Sequence, residues 1–114
     1  MFRVLSAAVV LGLAVPALAE EVSVAAPGVA ASLHEGPLDL VAYYGPAPEG
    51  AIEVVATVAP KTGANALRVA MALGDGDRVS FAMPGYPSTL YTFARAGETL
   101  TVSGATTIEL ASAE

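Results

Sequence analysis

His34 is the only histidine in this 114-residue chain, and there is no cysteine. Most enzyme side-chain chemistry must therefore pass through one imidazole or do without it. A Ser-His-Asp arrangement needs a base within hydrogen-bond reach of a nucleophile and a third group that orients it. Ser32 lies two positions before His34; on a strand that spacing gives a shared face without a pose for attack. No Gly-x-Ser-x-Gly turn lifts a serine out as a nucleophile. His34 reads as a solvated residue at a strand end.

The 11 Asp and Glu residues offer carboxylate pairs of the kind that hydrolyse glycosides, with Glu35 and Asp39 or Glu53 and Glu109 as candidates. On a small acidic domain such neighbours arise without purpose, and their role is solubility. Asp75-Gly76-Asp77 opens like a calcium loop, but Val79 occupies the next alternate position, where an oxygen ligand is required. The segment reads as a turn. Soft ligands for Cu(I) are His34, Met71 and Met83. They are not grouped as His-Met or His-x-Met, and both methionines fall on the apolar side of their segments, where methionine fills gaps. The expectation is a non-enzyme with no catalytic residue and no cofactor. His34, Met71 and Met83 stand only as the ligand set of an alternative reading, a copper or small-ligand carrier.

Aromatic side chains remain as candidates for contact. Tyr43 and Tyr44 are adjacent, so on a strand they point to opposite faces, and one must meet solvent or a partner. Tyr86 sits between Pro84 and Pro87, on a stiff loop where a ring loses little entropy on binding. Tyr44 and Tyr86 are the expected binding residues, while Tyr91 and Phe93 share a face and read as core. Alanines at 70, 72, 82 and 94 fall on the presumed outer faces, where soluble sheets usually carry Thr, Lys or Glu. Such flat, weakly apolar faces can receive another protein surface or a second copy of the chain.

The elements that must position these residues are short. Runs of period two recur between Gly, Pro and Asp: 21–25, 30–34, 38–44, 51–59, 78–83, 89–94, 98–102 and 107–110. In 51–59, Ile52, Val54, Ala56 and Val58 share one face, with Glu53, Val55 and Thr57 opposite. Arg95-Ala96-Gly97 marks a hairpin. Segment 64–73 is rich in helix formers, with Asn65 placed to cap a short helix and Gly74 to end it. Its strand neighbours favour a strand, with Leu67, Val69, Met71 and Leu73 on one face. The spacing predicts an all-β fold, a small antiparallel β-sandwich of about 7–9 strands, immunoglobulin-like or related.

Residues 1–19 read as a cleavable signal peptide: Arg3, an apolar run from Val4 to Val15, Pro16, then the small-x-small site Ala17-Leu18-Ala19. The apolar run is too short to span a bilayer, which takes about 20 residues. With no cysteine after it, lipid attachment lacks its thiol. Cleavage after Ala19 leaves residues 20–114 as one domain, and since Arg3 is the only charge removed, the net charge moves from −6 to −7. The expected location is the periplasm or the medium, with no stable membrane insertion after cleavage. So acidic a chain has no electrostatic footprint for nucleic acid. The expected partner is another envelope or secreted protein, or the chain's own copy.

Overall fold

A computed structural model describes residues 17–63 and 65–107. Residues 1–16 of the expected signal peptide and the expected strand at 108–110 lie outside the described residues. Eight strands form: β1 (Ala17–Val24), β2 (Ala31–Leu33), β3 (Leu38–Pro46), β4 (Ile52–Pro60), β5 (Leu67–Leu73), β6 (Arg78–Ala82), β7 (Thr89–Ala96) and β8 (Thr99–Thr107). They make two antiparallel four-stranded sheets, ordered β1-β8-β7-β6 and β2-β3-β4-β5. The result is the expected small β-sandwich. Its strand order is a meander, in which chain neighbours are sheet neighbours or step from one sheet to the other; immunoglobulin domains use a Greek key instead.

Alternation in the sequence decides what faces inward. Leu38, Leu40, Ala42 and Tyr44 of β3 and Ile52, Val54, Ala56 and Val58 of β4 are buried, and they meet Tyr91, Phe93, Leu100 and Val102 from the other sheet in one core. Phe81 stacks on Phe93 with ring centroids 5.6 Å apart. Burying a side chain of this size is worth roughly 1.5–3 kcal/mol, and with no disulfide available this packing holds the sheets together. Segment 67–73 is a strand, not a helix: Leu67, Val69 and Met71 are half-buried and Leu73 buried, while Arg68, Ala70 and Ala72 are exposed.

The antiparallel meander sorts the connections to two ends. Those following β2, β4 and β6 lie at the end that carries His34. Those following β1, β3, β5 and β7 lie at the end that carries Arg95. Gly97 has a φ of 63°, which lets a two-residue turn join β7 to β8. The Arg95 guanidinium ties this end together, its Nη1 donating to the carbonyls of Gly50 and Leu73, both at 2.9 Å, and its Nε to Gly97 O at 2.8 Å.

Candidate functional site

The outer faces of the two sheets differ in chemistry. On the β1-β8-β7-β6 sheet two outward rows are largely hydroxylated, while a third, Ala82, Leu90 and Ala105 at the His34 end, is apolar, with Leu90 47% exposed. Ser23, Thr101, Ala94 and Arg78 align in one row, and Glu21, Ser103, Thr92 and Ser80 in the next. Their hydroxyls bond to one another, Ser23 Oγ to Thr101 Oγ1 at 3.0 Å and Ser80 Oγ to Thr92 Oγ1 at 2.8 Å. These two rows are made for water.

On the β2-β3-β4-β5 sheet one outward row is apolar, Tyr43, Val55 and Ala70 aligned across three strands, and the adjacent row is mixed, Ser32, Val41, Thr57 and Arg68. Val41 is 43% and Tyr43 41% exposed, whereas Val55 is only 7% exposed although it lies on the outward side. Its neighbours in the row shield it, so the patch is packed at its centre and open at its margin. Beside it is a hollow of about 300 Å³ lined by Pro46, Ala47, Pro48, Glu53, Ala70, Met71 and Ala72. The turn at Pro48–Gly50 forms its rim.

Tyr44 is 4% exposed and its hydroxyl donates to Glu98 O at 2.6 Å. It closes the core at the Arg95 end, and the outward tyrosine of the pair is Tyr43. Tyr86 is half-buried and packs against the core, its loop held by Tyr86 N donating to Met83 O at 2.8 Å. The two residues expected to anchor a partner thus sit at opposite ends, and neither belongs to the apolar face. Val41, Tyr43 and Val55 were legible as a group from parity, because they alternate with the buried residues of their strands.

The candidate ligand set does not converge. His34 is exposed at one end, Met71 lies two residues before the connection at the other, and Met83 is buried beyond β6. Among the described residues no group of three or more His, Asp or Glu is arranged to hold a metal. His34 Nδ1 lies 2.8 Å from Asp39 Oδ1, and its backbone N–H donates to Glu20 Oε1 at 2.8 Å. Such a pair orients an imidazole. Among the described residues, however, no serine or threonine hydroxyl is hydrogen-bonded to the ring. Behind it, Glu35 is buried with Oε2 unpartnered, and the buried Tyr91 hydroxyl is unpartnered too. Burial pushes the Tyr91 hydroxyl up to about 12, with the charges of Glu35, Asp39 and Glu20 adding to the effect.

A second concavity, about 460 Å³, opens at the Arg95 end among Pro27, Tyr44, Pro46, Ile52, Arg95 and Glu98. Comparison with protein-family models, with curated proteins and with solved structures finds no match to this chain.

Proposed function

We propose that the chain is exported to the periplasm or the medium and works there as a non-enzymatic binding module. Its partner is another envelope or secreted protein, seated on the outer face of the β2-β3-β4-β5 sheet. The observation that carries this reading is the contrast between the two outer faces. One carries two hydroxylated rows at its middle and Arg95 end, with the apolar Leu90 row set apart at the His34 end, and the other presents Val41, Tyr43 and Ala70 around the buried Val55 at the middle of its face. Protein interfaces are enriched in tyrosine and depleted of charge at their centre, and tyrosine is among the residue types that dominate binding hot spots.

Removing the patch without disturbing the core tests the reading. The double substitution Val41→Ser/Tyr43→Ser changes only exposed side chains, so the circular-dichroism spectrum should be retained. Retention of the partner from the exported fraction should fall by about tenfold or more, as loss of a hot-spot pair predicts. A partner retained equally well by the double variant contradicts the proposal.

The concavity at the Arg95 end favours a second reading, a small-ligand carrier. Its volume falls within the usual range for ligand sites. This reading expects a thermal shift with a small organic ligand that is lost when Ile52 is enlarged to Phe. The metal version of that reading has no convergent ligands among the described residues.

A further inference from the structure

From the free edge of β5 we infer that two copies of this chain pair through that strand, forming one continuous eight-stranded sheet about a two-fold axis at Ala70. The inference concerns the edge of the sheet and does not depend on what its outer face binds.

β5 pairs with β4 on one side only. Natural edge strands are usually blunted by proline, by a bulge, by charged side chains (lysine above all), by an inward-pointing charge or by being very short. β5 carries one such device, Arg68, and none of the others. It runs for seven residues in unbroken register with β4, from Leu67 opposite Val58 to Leu73 opposite Ile52. Its one charge, Arg68, points outward. By contrast β2, the other edge of the same sheet, has three residues.

The sequence of the strand, Leu67-Arg68-Val69-Ala70-Met71-Ala72-Leu73, is close to a palindrome about Ala70. Antiparallel self-pairing centred there sets Leu67 against Leu73, Val69 against Met71 and Arg68 against Ala72, with Ala70 facing itself. Every inward position meets an aliphatic partner, the smallest side chain sits on the axis, and no charge faces its like. This self-matching singles out a second copy from other strands that might be added to the edge.

Two further features agree. Beyond Ala72, in the same row, lies Glu53. In the pair, the second copy's Arg68 would lie beside Ala72, two strand spacings or roughly 10 Å from Glu53 between backbones, which the two long side chains can span. The hollow lined by Glu53, Ala70 and Ala72 is there to receive it. Among the described residues neither Arg68 nor Glu53 has an ion-pair partner within the chain. The β5 and β6 side of the sandwich is also incompletely closed: Leu67, Met71 and Phe81 are only half-buried against the core, and Val79 is 37% exposed. A second copy covers this side and joins the two apolar rows into one, Tyr43-Val55-Ala70 continuing into Ala70-Val55-Tyr43.

The absence of native cysteine makes the register directly readable. Residues directly opposite on antiparallel strands have Cβ atoms roughly 4.5–5.5 Å apart, close enough for a disulfide with small adjustment. Under mild oxidation the Ala70→Cys protein should convert to a covalent dimer. Arg68→Cys and Ala72→Cys, each alone, should do so at least about tenfold more slowly, because each faces the other position instead, and a mixture of those two proteins should cross-link rapidly. In sedimentation the unsubstituted protein should have twice its chain mass, and Ala70→Lys, which sets like charges on the axis, should be monomeric. Equal cross-linking at all three positions, or no cross-linking at 70, overturns the inference, as does a monomer at high micromolar concentration. None of these results bears on partner retention through Val41 and Tyr43, so the two proposals fail separately.

Discussion

Tyr91 shows how a single buried group links this fold to pH. Its hydroxyl is buried without a hydrogen-bond partner and its pKa is raised from 10 to about 12, mainly by desolvation. In the unfolded chain the phenol ionises near its ordinary value, so between pH 10 and 12 the unfolded state has lost a proton that the folded state keeps. The stability contribution is therefore fully present below pH 10 and is lost as pH rises toward 12. Tyr91→Phe should flatten that alkaline loss in urea titrations at several pH values. At neutral pH its stability should be unchanged or higher by up to about 1 kcal/mol, because an unpaired buried hydroxyl is removed. The adjacent tyrosines show what is legible at this scale. That Tyr43 and Tyr44 oppose one another follows from strand geometry alone. Which of them is outward follows from counting parity from Leu38 and Leu40, and that count places Tyr44 inside. Choosing the contact residue by ring type alone passes over Tyr43. The unpartnered Glu35 Oε2 has no sequence signal, because its burial depends on the segment after β2 meeting Gly104 of β8 beneath the Tyr91 ring.

At the scale of elements, most strands were readable from period-two alternation, and their edges were not. Segment 67–73 contains helix formers, yet every second residue is apolar and its neighbour β4 offers seven register partners; tertiary pairing overrides weak helix propensity. The expected strand at 98–102 runs on, as β8, through Ser103-Gly104-Ala105 to Thr107. That run resembles a loop by composition. Gly104 serves instead as the floor under the Tyr91 ring, where an added Cβ would meet Cε1 at 3.1 Å. The connection from β3 to β4 holds a local strain: Glu49 has a φ of 61°, a left-handed conformation costing a residue with a side chain about 1–2 kcal/mol. Glu49→Gly relieves it. Thermal unfolding of that variant should show a gain of about 0.5–1 kcal/mol after the extra freedom of glycine in the unfolded chain is offset. A loss would mean that the Glu49 side chain contributes more than its backbone costs.

For the whole molecule, composition and turn spacing were enough to indicate a sandwich, and strand order was not. Alternation says which residues are inside without saying which strand lies beside which; that is settled by β1 closing on β8, residues 17–24 against 100–107. The consequence for function lies in the outer faces, because strand order brings Tyr43, Val55 and Ala70 into one row. It also gathers Ser23, Ser80, Thr92, Thr101 and Ser103 onto the outer face of the other sheet. If the apolar face is the working surface, contact with the partner is confined to it. With a photo-reactive amino acid placed at Tyr43, and separately at Ser103 in a hydroxylated row, cells producing the protein should yield a discrete cross-linked adduct from position 43 and none from position 103; adducts of equal strength from both positions, or an adduct from 103 alone, would rule the proposal out.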